Sequence, residues 1–191
     1  MDDANCFPKF YPLFLAGRRE AIIRLVEKLP WNPNRPRWPQ KRDLGKIDRV
    51  ILHQSLGHAD PSGNRDVYGI NRYHISPGNH ISAAGCPHIC YHLVVDDDGA
   101  IYQTNELTDV VWHCAGQNSR SIGVMLVGDF TGPGHAGGEP TAAQEQAFFA
   151  LAENLMATLR LGSDAFYGHC SFGKPACPGT TAYGWIEKLR G

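Results

Sequence analysis

Ser121-Ile122-Gly123-Val124-Met125-Leu126-Val127 is a near-continuous apolar run. A run this short, framed by a polar loop and a Gly-rich stretch, reads as a strand covered on both faces, and such strands occupy the middle of a sheet with helices against it. Just ahead lies Trp112-His113-Cys114-Ala115-Gly116-Gln117-Asn118-Ser119, a polar loop. Residues 132–140 are Gly-rich linker. Thr141 and Gln144 then form a capping box, Phe148, Leu151, Leu155 and Leu159 recur at helical intervals, and Gly162 reads as the stop.

The flanks carry the same alternation. Residues 47–52 read as a buried strand that delivers His53 at its end, and residues 66–75 as a helix lining one side of a cleft until Pro77 and Gly78 stop it. Residues 89–95 and 100–103 read as strands joined by Asp96-Asp97-Asp98-Gly99, a strong hairpin signal. A last helix is expected over 181–189. Upstream, Ile22, Ile23, Leu25, Val26 and Leu29 have helical spacing, so residues 17–29 read as a short amphipathic helix ending at Pro30. Four prolines in residues 30–39 then exclude helix or central strand. Trp31 and Trp38 in this wrap either pin it to the body or form a stacking strip for carbohydrate. The expectation is an α/β protein: one mixed central β-sheet flanked by helices in a single domain over 46–191, preceded by an N-terminal helix and Pro-rich wrapping segment over 1–45.

Composition narrows the function. With 191 residues, 42% apolar and 19% charged, the chain supports one proper core, and a net charge of -1 supplies no field that would draw it to nucleic acid or an anionic membrane. No window is apolar enough to span a membrane, and Asp2 and Asp3 stand where a secretory signal carries basic residues. The six cysteines lack the paired spacing of a stapled scaffold, so free thiols in a reducing compartment are expected.

The chemistry concentrates in Phe166-Tyr167-Gly168-His169-Cys170-Ser171-Phe172-Gly173-Lys174-Pro175-Ala176-Cys177-Pro178-Gly179. His169 and Cys177 are good transition-metal ligands, and the Gly and Pro residues around them make a bent loop that can fold both onto one point. His53, projecting from a rigid strand end, supplies a third ligand. Three ligands with the fourth tetrahedral place left for water is the arrangement of zinc hydrolases, so one Zn²⁺ is expected. His80, Cys86, His88, Cys90 and His92 form a second dense cluster, open to reading as another metal site or as buried polar and thiol groups.

Four motifs, in order, carry a resemblance: Val50-Ile51-Leu52-His53-Gln54-Ser55; Tyr91-His92-Leu93-Val94-Val95 with Asp98-Gly99; His113 through Val124; and Gly168-His169 with Ala176-Cys177-Pro178-Gly179. Together they resemble the zinc-dependent N-acetylmuramoyl-L-alanine amidases, a family that includes phage amidase-type lysozymes and peptidoglycan recognition proteins. The resemblance covers residues 46–189. It implies zinc ligands at His53, His169 and Cys177, a catalytic tyrosine at Tyr91, and a groove-lining, substrate-binding loop bearing His113 and Asn118. The family's Lys or Thr two residues before the sulfur ligand is here Pro175, which leaves Lys174 as the candidate second catalytic donor. The implied substrate is peptidoglycan or a muropeptide, cut between the lactyl group of muramic acid and L-alanine. A non-cutting recognition module and an amidase of recycled anhydromuropeptides are the alternatives. The expected location follows: synthesis in the cytoplasm without a signal peptide, then action on the wall after release or export, or on cytosolic fragments.

Overall fold

The computed structural model describes residues 23–25, 29–57, 66–132 and 138–191. Its strands are β1 (Ile23–Leu25), β2 (Arg49–Gln54), β3 (Leu93–Val95), β4 (Ile101–Gln103), β5 (Ser121–Leu126) and β6 (Phe166–Gly168). They form one sheet in the order β1-β4-β3-β5-β2-β6, with every neighbouring pair parallel except the β3–β4 hairpin. Among the described residues three α-helices complete the fold: α1 (Asp66–Ile75), α2 (Ala142–Leu159) and α3 (Thr180–Arg190). The mixed sheet with flanking helices is the architecture read from the sequence.

β5 is buried at all six positions and sits between β3 and β2, which is why its sequence is almost wholly apolar. Val124 and Leu126 face one layer, packing with Val50 and Leu52 of β2, Phe148, Leu151 and Leu155 of α2, and Trp185 and Ile186 of α3. Each large side chain buried there contributes about 1.5–3 kcal/mol of transfer free energy. Met125 faces the other layer with Val94 and with Val67 of α1. Period-two alternation therefore places Ser121, Gly123 and Met125 of β5, and Ile51 and His53 of β2, on the α1 side of the sheet.

α2 starts as expected: the Thr141 hydroxyl accepts from the Gln144 N–H at 3.1 Å, and the Gln144 side chain accepts from the Thr141 N–H at 3.0 Å. A cap of this kind stabilises by about 1 kcal/mol. The stop differs. Arg160, at φ 56°, is the left-handed C-cap, and Gly162 opens a short 3-10 turn over Ser163–Ala165.

Three further expectations are corrected. Of the 17–29 segment, Ile23–Leu25 is strand β1, paired parallel with β4, and Leu29 is irregular and buried, while 17–22 and 26–28 lie outside the described residues. The edge of β4 offers this segment ladder hydrogen bonds, and that long-range pairing overrides helical spacing. The 89–95 strand is ordered as strand only over Leu93–Val95. Ahead of it the Asn105 side-chain amide donates to the carbonyls of Ile89 and Tyr91, taking the place of a strand partner. Finally, Phe166–Gly168 is a true strand, paired with β2.

The Pro-rich wrap is pinned to the body. Trp38 is buried, donates to Asn105 Oδ1 at 2.7 Å and meets Trp112 edge-on, whereas Trp31, 38% exposed, stacks on His88. Asn32 donates to the carbonyls of Ile75 and Cys86, tying the wrap to the end of α1. The five cysteines among the described residues are free thiols. No helix among those residues is long and apolar enough to cross a membrane.

Candidate metal centre and cleft

Leu52 of β2 lies opposite Gly168 of β6 in a parallel pair, so the next residue of each, His53 and His169, stand side by side, their ring centroids 4.4 Å apart. Ligands gather at the carboxyl ends of parallel strands in folds of this kind. Cys177 completes the group, its Sγ 4.0 Å from His53 Nδ1, and one donor atom from each of the three lies within 4.8 Å of the others. Ordinary zinc bond lengths at a tetrahedral angle separate nitrogen from sulfur by about 3.6 Å. The donor set and its spacing therefore fit one such ion, with two imidazoles and a thiolate as its protein ligands.

Cys177 is brought back by a short hydrogen-bonded bend. From within the 3-10 turn His169–Phe172, Cys170 N–H donates to the Cys177 carbonyl at 2.7 Å, and Cys177 N–H donates to the Lys174 carbonyl at 2.9 Å. Gly179 then adopts φ 94°, where a Cβ would stand 2.6 Å from the Phe130 carbonyl oxygen, so only glycine fits. Gln54, the residue after His53, clasps this bend. Its backbone N–H points at Cys177 Sγ from 3.4 Å, its side-chain NH₂ donates to the Ala176 carbonyl at 2.7 Å, and its Oε1 accepts from the Phe130 N–H.

Burial sets the charge states. It holds the His53 imidazole well below its ordinary value, with His113 and His169 adding to the effect. His169 is lowered to about 4 by burial and by Lys174. The Cys177 thiol is pushed up to about 11, again by burial first. Without a cation, the group is thus neutral at pH 7: two bare imidazoles and a thiol.

Each remaining sequence-derived site residue has a clear place. Tyr91 borders the cleft with its ring 5.1 Å from that of His53, and burial beside Cys177 raises its phenol far above the ordinary range, so it stays protonated. Lys174 lines the same cleft and its charge is felt by both His169 and Cys177. His113 also touches the cleft, yet it is only 6% exposed and both its ring nitrogens are engaged inside the protein: Nδ1 with His53 Nε2 at 3.0 Å, Nε2 with Ser121 Oγ at 2.9 Å. Asn118 is not part of the cleft lining. Its side chain accepts from the Cys114 N–H at 2.8 Å and its carbonyl accepts from buried Arg42, so it shapes the turn that carries His113.

The cleft itself holds about 480 Å³. Tyr73 and His74 of α1 form one wall, as the sequence implied for that helix, and His80, Ile81 and Trp112 extend it. The Tyr73 hydroxyl meets His80 Nδ1 at 2.9 Å. The second His/Cys cluster does not converge: among the described residues the sole metal-competent group is His53, His169 and Cys177. His88 turns to Asn105 and Trp31, while His92 Nδ1 accepts from the Gly123 N–H at 3.0 Å. Sequence reasoning assigned no role to Gln54, Ser121 or Trp112. Gln54's only signal is its place directly after a ligand.

Comparison with known proteins agrees with this fold. An endolysin of Escherichia phage T7 is 28% identical over 149 residues, covering 78% of this chain and 91% of the phage protein. Peptidoglycan-recognition protein SC1a of Drosophila melanogaster is 23% identical over 169 residues, covering 86% of this chain and 85% of its own. The solved N-acetylmuramoyl-L-alanine amidase LysC from Clostridium intestinale URNW has the same fold, with a TM-score of 0.67 at 20% identity over 88% of this chain and 97% of that one. Residues 43–180 match the family model described as N-acetylmuramoyl-L-alanine amidase, and a match over more than half its length means that the chain belongs to that family.

Proposed function

We propose that this chain hydrolyses the amide between the lactyl group of N-acetylmuramic acid and L-alanine in peptidoglycan, using one zinc ion held by His53, His169 and Cys177. The observation that carries the reading is the convergence of those three donors, within 4.8 Å of one another, on a cleft that Tyr91 also enters. When bound, zinc supplies Lewis acidity and activates water near neutral pH. The residues of the chain do the rest. The Tyr91 phenol, kept protonated by burial, donates to the carbonyl oxygen as negative charge builds there. Lys174 brings a cation to the same wall, one position before the residue where relatives of this type carry their donor. The walls formed by Tyr73, His80 and Trp112 suit a sugar and peptide laid along the cleft. Water adds to the lactyl carbonyl carbon and the C–N bond breaks, so that water supplies both the new carboxyl oxygen and the proton with which the nitrogen departs as the amino group of the stem peptide.

The test is metal analysis joined to mass spectrometry of sacculi digested with zinc-loaded protein. One zinc per chain and released peptides beginning with L-alanine are expected. Binding of muropeptide with no such release would make the chain a recognition module, as the likeness to peptidoglycan-recognition proteins allows. Comparing rates on intact sacculi and on small anhydromuropeptides separates wall lysis from fragment recycling.

A further inference from the structure

We propose that His113 is a positioning residue: through its hydrogen bond to His53 Nε2 it selects the tautomer in which His53 Nδ1 faces the metal position. This rests on the metal-dependent reading above.

Ser121 Oγ lies 2.7 Å from the Gln117 carbonyl and 2.9 Å from His113 Nε2. A carbonyl only accepts, so the single hydroxyl proton goes to Gln117 and Oγ is left as an acceptor. His113 Nε2 must then carry the ring proton. A second proton on this ring would place a bare charge between a neutral imidazole and a hydroxyl in a nearly sealed site, which desolvation opposes. His113 Nδ1 therefore presents a lone pair, and at 3.0 Å its partner, His53 Nε2, must be the donor. A neutral His53 protonated on Nε2 has its lone pair on Nδ1. That is the nitrogen 4.0 Å from Cys177 Sγ.

The strand beneath makes the arrangement specific. Ser121 and Gly123 lie on the face of β5 that His53 shares, and both are small. A Cβ at position 123 would come within 2.7 Å of His113 Cγ, so Gly123 leaves the slot in which the ring lies and Ser121 caps its far end. Gln117 is itself held, its side chain accepting from Arg49 at 2.8 Å. Groups behind a metal-binding imidazole fix its tautomer and orientation in this way.

The first measurement is made on metal-free protein: long-range ¹H–¹⁵N correlations of the imidazoles. Both His53 and His113 should appear as Nε2–H tautomers, and an Nδ1–H form of His53 overturns the proposal. This readout is independent of hydrolysis and of zinc retention, so it fails separately from the amidase reading. The second is zinc affinity by competition with a chelator. His113→Phe should lose about 10–100-fold, and His113→Asn, whose amide oxygen falls near the Nδ1 position, should recover most of it. Equal loss in both variants would mean that packing and not the acceptor matters, and would overturn the assignment. If His113→Phe does not fold, Ser121→Ala replaces it: mixed His53 tautomers and weaker zinc binding are expected, and wild-type behaviour in both overturns the proposal.

Discussion

His53 stands within β2, 1% exposed, with a second imidazole braced behind it, whereas His169 and Cys177 stand half-buried on the bend between β6 and α3. One half of the candidate centre is thus set by sheet register, and the other by a loop that returns over eight residues and is held by backbone hydrogen bonds and the clasp of Gln54. The difference teaches where each half is vulnerable. The strand half cannot be altered without disturbing the core, and the loop half can be altered with little cost to the fold.

Replacing ligands tests this most sharply. His53→Ala, His169→Ala and Cys177→Ser should each abolish zinc retention and reduce hydrolysis by more than about 10³-fold, equivalent to roughly 4 kcal/mol of barrier. Stability of the metal-free protein separates them. His53→Ala leaves a cavity and an unpaired His113 Nδ1, and should cost about 2–4 kcal/mol in denaturant unfolding. The two loop variants should cost less than about 1 kcal/mol. Equal destabilisation by all three would erase the distinction between the halves, and unchanged zinc stoichiometry would remove a residue from the ligand set.

Tyr91 belongs to neither half, since it enters from the irregular segment before β3. Tyr91→Phe should keep the metal and slow turnover about 10²-fold by removing one donor to the developing charge. Lys174→Met should slow it less, about tenfold, because an exposed ammonium is screened. An unchanged rate in Lys174→Met would show that nothing replaces the donor missing at Pro175.

What the sequence made legible was what neighbouring residues decide. The β5 run, the Asp-Gly hairpin, the extent of α1 and the Thr141–Gln144 box are local patterns, and the structure has them. β1 and β6 were hidden for the opposite reason: each is three residues long and is strand only because a distant edge accepts it. The same holds in the site. His53, His169 and Cys177 announce themselves by residue type beside turns, whereas the place of His113 behind His53 depends on Ser121 and Gly123 sharing a face with β2. That pairing follows from register, which no local pattern carries.

The charge states of the loop half give a pH dependence. With its thiol pushed up to about 11 and His169 lowered to about 4, the loop half enters zinc binding at pH 7 with one proton to lose, from Cys177. Affinity should rise about tenfold per pH unit below the pH at which metal-bound water would ionise, since there the Cys177 thiol gives up the one proton displaced per ion bound. Calorimetry in two buffers of different ionisation enthalpy should count that proton. Metal-free stability has the matching signs. The lowered His169 favours the fold above its ordinary value of 6.5, an advantage lost as pH falls towards about 4. The raised Cys177 thiol favours it below its ordinary value of 9.0, an advantage lost as pH rises towards about 11.

The smallest expected effect tests the clasp that joins the two halves. Gln54→Ala keeps every proposed ligand and the backbone N–H that points at Cys177 Sγ, but removes the amide that links the Ala176 carbonyl to the Phe130 N–H. Ala176 is exposed, so water can replace the partner its carbonyl loses, whereas the Phe130 N–H is buried and would be left unpaired, so the stability cost should be about 1–3 kcal/mol. Zinc affinity should fall about three- to tenfold, as the bend samples positions in which the sulfur stands away from His53. Amide hydrogen exchange should localise the change, with faster exchange at Cys177 and the residues beside it and none across β2 and β5. If exchange instead accelerates evenly through the sheet, Gln54 supports the core and the loop half is held by its own backbone hydrogen bonds alone.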